Sequence, residues 1–203
     1  MTFMAVALGY LIGSIPTAGW LARRKGIDLR TEGSGNPGTK NALGTGGPRL
    51  AAAVLVVEAT KGFGAVCLGS AMGADIGAVA AGIGAVAGNV FNIWYRFEGG
   101  KGLGISLGVL AGLWPVVLPV ILVVIIVAAV ITRSAGLAAL AAMAALLGSA
   151  LVWAARDWPT FGLASTGPQL IVFSLAVTAV MAWKHGTDSP LNPAWNSSRR
   201  TAV

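Results

Sequence analysis

The run LGVLAGLWPVVLPVILVVIIVAAVIT, residues 107–132, contains no charged residue and offers no polar face. A soluble helical domain needs an apolar stripe backed by a charged surface. A membrane β-barrel needs apolar and polar residues in alternation. This run has neither pattern. Similar apolar runs recur along the 203 residues, of which 56% are hydrophobic and only 10% charged. The chain therefore reads as an all-α polytopic membrane protein.

The runs predict helices at roughly 2–22, 50–70, 76–95, 103–113, 115–132, 135–155 and 168–184, about seven in all, some of them short. The stretch 103–132 is too long for one span at about 1.5 Å per residue, and Trp114-Pro115 supplies a break. The first half of that stretch is too short to cross ~30 Å of hydrocarbon, so it needs protein around it. The basic cluster Arg23-Arg24-Lys25 follows the first apolar run instead of preceding it. That order argues against a cleaved signal peptide and puts the N-terminus outside. Seven passes then place the C-terminus in the cytoplasm. Twelve basic residues between Arg23 and Arg200 fall on the inner side under this topology, against Arg156 on the outer, with Lys61 inside a span. This is the expected positive-inside bias. The chain reads as one membrane domain, 1–203, ending in a polar cytoplasmic tail, 185–203.

The net charge of +7 is explained by topology. Without an aromatic-plus-basic patch, no nucleic-acid partner is expected. Cys67 is the single cysteine, so it forms no internal disulfide and reads as a small packing residue.

The topology gathers three polar segments on the inner face. In GSGNPG, Gly33, Gly35 and Gly38 allow positive φ and close approach of backbone N–H groups to an anion. Ser34, Asn36, Thr39 and Asn41 add hydrogen-bonding side chains, and Lys40 adds charge. A flexible connecting loop would have similar composition. In FEGGKGLG, Gly99, Gly100, Lys101 and Gly102 open directly onto a helix. Helix N-termini bind anions through unpaired N–H groups and the positive dipole end. The Walker A spacing and a magnesium-binding acid are missing, which points to phosphate binding without nucleotide hydrolysis. His185, the only histidine, follows the last helix. It suits holding a phosphate or moving a proton, and equally an interfacial polar position. Glu58 and Lys61 stand three residues apart inside a span. Ionisable residues there are functional candidates, although i,i+3 spacing also suits a self-neutralising structural pair. No cysteine–histidine or acidic cluster suggests a metal, and no serine or cysteine nucleophile stands with its base.

The segments GSIP (13–16), KGID (25–28), GSGNPG (33–38) and GGKG (99–102), with a weaker match at WKHGTDSP (183–190), occur in one order over nearly the whole chain. Together they resemble the bacterial acyl-phosphate:glycerol-3-phosphate acyltransferases, the PlsY family. The resemblance implies a seven-helix inner-membrane protein with its active site at the cytoplasmic face. It implies transfer of a fatty acyl group from acyl phosphate to the 1-hydroxyl of glycerol 3-phosphate, giving lysophosphatidic acid for phospholipid synthesis. No cofactor and no metal are implied. The partners are the two substrates, the lipid bilayer and, as a candidate, the enzyme that makes acyl phosphate. Ser34, Gly35, Asn36, Pro37, Gly38 and Asn41 match the first family motif. Gly99, Gly100, Lys101 and Gly102 match the second, and His185 matches the third. Ser34, Lys101 and His185 are the expected catalytic residues. Gly33, Gly35, Asn36, Gly38, Lys40, Asn41, Gly99, Gly100 and Gly102 are expected to hold substrate. Glu58, Lys61, Asn89 and Asp188 are further candidates. The family usually has Thr at Lys40, Arg at Gly44, His at Asn89 and Asn at Asp188. These departures leave open a different hydroxyl acceptor, such as a sugar or glycolipid, or an altered paralogue that binds lipid phosphates.

Overall fold

Pro16 decides the first turn of the architecture. A residue before proline is pushed out of helical backbone, and Ile15 lies at φ −56°, ψ 122°. The segment expected as one helix over 2–22 is therefore two, α1 (Thr2–Ser14) and α2 (Thr17–Arg23). The computed structural model describes residues 1–164 and 167–187, and these contain helices and no strand.

The runs expected as helices 50–70 and 76–95 belong to one longer element, α3 (Thr39–Val90). Non-helical backbone at Gly47 and at Gly73–Ala74 divides it into pieces 39–46, 48–72 and 75–90. Gly47 lies at φ 78°, ψ −178°, a region open to almost nothing but glycine. Pro48 then starts the next piece, where its missing N–H is no loss. The break at 73–74 is a hairpin. A Cβ added to Gly69 would meet the Gly77 carbonyl, and one on Gly77 would meet the Gly69 carbonyl. The second and third pieces thus run antiparallel. Two boundaries differ from expectation. Residues 39–46 are helical instead of loop, and the third piece stops at Val90, short of 95.

The remaining helices are α4 (Leu103–Leu113), α5 (Leu118–Thr132), α6 (Ala135–Arg156) and α7 (Pro168–Thr187). The expected break lies at Trp114, φ −153°, ψ 66°, just before Pro115. Thr2–Arg23, Thr39–Tyr95, Pro115–Thr132 and Ala135–Arg156 are each long and apolar enough to cross a bilayer.

Lipid tails are as apolar as leucine, so helices associate in membranes through close packing of small residues. Gly9 and Gly13 of α1 face Ala81 and Ala85, while Gly84 and Gly88 face Val6 and Tyr10. A Cβ at any of these four glycines would meet a backbone carbonyl. Gly108 of α4 seats against Ala59 in the same way. The 11-residue α4 is enclosed, with Ile105, Val109, Leu113 and Trp114 fully buried. Its terminal carbonyls need partners. Leu163 N donates to Gly112 O (2.8 Å) and Ala164 N to Leu113 O (3.2 Å). A protein sheath is what a helix too short to span requires. By contrast, Ile121 is the one buried residue of α5.

Candidate active site

Breaking α1 at Ile15–Pro16 frees carbonyls that must find donors inside an apolar bundle. Lys61 Nζ donates to Ile15 O at 2.7 Å, and Asn92 Nδ2 donates to Ser14 O at 2.7 Å. Beside this break the loop after α2 meets the loop between α3 and α4, and Met181 of α7 packs where the second loop turns into α4. Arg30, from the first loop, lies 4.8 Å over the Tyr95 ring and pairs with Glu98 at 3.4 Å, both in the second. A Cβ on Gly100 would stand 3.7 Å from Pro37 O. Met181 of α7 would lie 3.2 Å from a Cβ on Gly102, and it accepts a hydrogen bond from Ser106 Oγ at 3.7 Å. His185 follows Met181 by four residues on the same helix, so the two share a face.

The first loop is held by Asn41. Asn41 Oδ1 accepts from Ser34 N (2.8 Å), and its Nδ2 donates to Leu29 O (2.9 Å) and Glu32 O (3.0 Å). Expected at the ligand, Asn41 is buried with its amide engaged by the loop. Gly33 and Gly35 have φ of +61° and +73°, which favours glycine. At Gly33 a Cβ would also strike Asn41 Oδ1. Asn36 Oδ1 is buried without a donor among the described residues. A buried acceptor of this kind calls for a partner, which a hydroxyl-bearing ligand would supply. Gly38 precedes α3 in extended backbone, φ −139°, ψ 173°. Lys40 and Gly44 are one turn apart on the helical piece 39–46. Space beside Gly44 is open, which leaves room for the exposed Lys40 side chain to swing across it.

The second loop starts where the third piece of α3 ends. Carbonyls freed there are taken up at once: Gly99 N donates to Val90 O and Gly100 N to Asn89 O, each at 2.9 Å. A Cβ on Gly99 would meet Asn89 O. Gly102, at φ +81°, turns the chain into α4. Lys101 therefore stands two residues before the start of α4, beside its unpaired N–H groups and positive dipole end.

Beneath both loops lies a buried polar junction. Glu58 and Lys61 pair at 3.0 Å, and each side chain is 8% exposed. Thr17 Oγ1 donates to Glu58 Oε1 at 2.7 Å, and Asn89 Nδ2 donates to Glu58 Oε2 at 2.7 Å. Glu58 and Asn89 line a small cavity with Pro16, Pro37, Tyr95 and Gly100. The i,i+3 pairing was legible in the spacing. The parts of Thr17, Asn92, Tyr95 and Arg30 were not. The available signal was polar residues at the ends of apolar runs, at Thr17 and Asn92. Asp188 lies outside the described residues. Among those described, no group of acids, cysteines and histidine is arranged to hold a metal.

The sequence model of the glycerol-3-phosphate acyltransferases matches residues 3–189. A glycerol-3-phosphate acyltransferase of Sinorhizobium fredii is 39% identical over 186 residues, covering 91% of this chain and 85% of the relative. One from a Synechococcus species is 44% identical over 152 residues, 74% of each chain. Among solved structures, the glycerol 3-phosphate form of PlsY (YgiH), an integral membrane glycerol 3-phosphate acyltransferase, matches with a TM-score of 0.75 at 24% identity, over 92% of this chain and 89% of that one. Its lysophosphatidic acid form matches with a TM-score of 0.73. These two likenesses establish the shared fold.

Proposed function

Because the chain belongs to the glycerol-3-phosphate acyltransferase family, we propose that it moves a fatty acyl group from acyl phosphate to the 1-hydroxyl of glycerol 3-phosphate. The product is lysophosphatidic acid. The observation that carries this reading is the convergence of two glycine-rich loops, one leading into a helix N-terminus beside Lys101, with the His185 end of α7. Two phosphate-bearing substrates need two anion-binding surfaces close together, and the meeting of these segments supports that reading.

Acyl phosphate is an activated mixed anhydride, so no covalent enzyme intermediate is required. The acceptor hydroxyl oxygen attacks the acyl carbon, the bond to the phosphate oxygen breaks, and phosphate leaves with the electron pair. The hydroxyl proton passes to a substrate phosphate or to His185. Holding the two reactants together supplies much of the rate. Lys101, the N-terminus of α4 that follows Gly102, and Ser34 neutralise the leaving phosphate. Asn36, with the polar side chains of the first loop, stabilises developing oxyanion charge or holds the acceptor. His185 orients the acceptor phosphate. The site faces the cytoplasm in the inner membrane, and the acyl chain enters laterally from lipid.

The test is turnover of palmitoyl phosphate and glycerol 3-phosphate by the purified protein. Activity lowered by about 10²-fold or more in Lys101→Ala supports the reading. Lack of turnover across a panel of phosphorylated acceptors refutes it.

A further inference from the structure

An ionised carboxylate inside a bundle of apolar helices is expensive and calls for a purpose. Glu58 is 6% exposed. Its position in the cavity between the loops suggests a general base, but its bonding excludes that role. A carboxylate has about four acceptor sites. Oε1 takes Thr17 Oγ1 (2.7 Å) and Lys61 Nζ (3.0 Å), and Oε2 takes Lys61 Nζ (3.0 Å) and Asn89 Nδ2 (2.7 Å). With its acceptor sites filled and an ammonium against it, Glu58 has no site for a substrate proton. Lys61 is equally committed, to both carboxylate oxygens and to Ile15 O, so it is no phosphate ligand.

The residue that Glu58 grips is the one that carries the second loop. Asn89 O accepts from Gly100 N at 2.9 Å, and Asn89 Oδ1 would lie 3.0 Å from a Cβ on Gly100. Just beyond the loop, in the first turn of α4, a Cβ on Gly104 would lie 3.3 Å from Glu58 Cβ. Glu58 thus bears on both the entry and the exit of the segment that presents Lys101. We propose that Glu58, acting through Asn89, is a positioning residue that sets the 99–102 loop, and with it Lys101, against the substrate phosphate. This rests on the reading that this loop binds phosphate.

A displacement of about 1 Å at a reacting centre lowers rate by roughly 10²-fold. The test uses the full chain in detergent micelles, with palmitoyl phosphate and glycerol 3-phosphate. Asn89→Ala is expected to lower kcat/KM for palmitoyl phosphate by about 10- to 100-fold, with a raised KM for that substrate. A merely structural role would reduce the active fraction, lowering kcat and leaving both KM values alone. Asn89→Asp sets two carboxylates against each other and is expected to lose at least as much. The exchange Glu58→Gln with Asn89→Asp keeps one carboxylate in the junction and restores an amide-to-carboxylate hydrogen bond between the two positions. It is expected to recover most of the activity. Wild-type KM in Asn89→Ala, or no recovery in the exchange, overturns the inference while leaving the acyltransferase reading intact. If the wild type does not turn over, the thermal shift produced by palmitoyl phosphate is read instead. An undiminished shift in Asn89→Ala overturns the inference, and no shift in the wild type overturns both readings.

Discussion

Replacing Lys61 with methionine keeps the length of the side chain and removes its charge. The ammonium makes hydrogen bonds of 2.7, 3.0 and 3.0 Å, to Ile15 O and to the two oxygens of Glu58. Without it, the Glu58 carboxylate is left 8% exposed, with only Thr17 and Asn89 as donors. Removing one partner of a buried ion pair costs about 3–5 kcal/mol, chiefly the penalty of the stranded charge. Ile15 O still accepts from Thr17 N at 2.9 Å, so the lost bond to that carbonyl adds little, and the lower half of the range is expected. Adding Glu58→Gln removes the stranded charge. Replacing both members of a buried pair is close to neutral, so the double variant should lie within about 1–2 kcal/mol of wild type. The two changes must therefore be strongly non-additive. The assay is SDS titration of the micelle-bound protein, followed by helical circular dichroism, on all four members of the cycle. A Lys61→Met variant within about 1 kcal/mol of wild type, or a double variant no more stable than the single, would refute the reasoning.

Other outcomes follow from the same geometry. Lys101→Ala should lower kcat by about 10²- to 10³-fold, the usual effect of deleting one donor to a developing anion, as measured by release of inorganic phosphate. Gly108→Ala would drive a Cβ into the Ala59 carbonyl and should destabilise by about 1–3 kcal/mol, the usual range for overpacking, read by the same SDS titration. Gly33→Ala combines a φ of +61° with a clash on Asn41 Oδ1. It should open the first loop to hydrogen exchange and lower activity, while helical content is unchanged. Arg30→Ala removes an exposed ion pair and a stacking contact on Tyr95. Its effect on stability should be below about 1 kcal/mol, and faster exchange should be confined to the two loops that Arg30 joins.

The elements that depend on local chemistry were legible in the sequence. Uniform apolarity over 107–132 excludes a water-facing helix, and Trp114-Pro115 breaks the run where expected. The order of GSIP, KGID, GSGNPG and GGKG along the chain carries the resemblance to the family. Where reading the sequence fell short, a distant partner decided the outcome. The Ile15–Pro16 break looks like ordinary membrane helix until Lys61 and Asn92 arrive to satisfy its carbonyls. Asn41 matches a substrate motif, and its amide is held by Leu29 and Glu32, partners that the fold brings to it. Spacing alone pairs Glu58 with Lys61. That the pair also carries Thr17, 41 residues away, and Asn89, 31 residues away, follows only from the packing of glycine-lined helices. That packing brings three chain segments within hydrogen-bond reach, a juxtaposition that no local periodicity encodes.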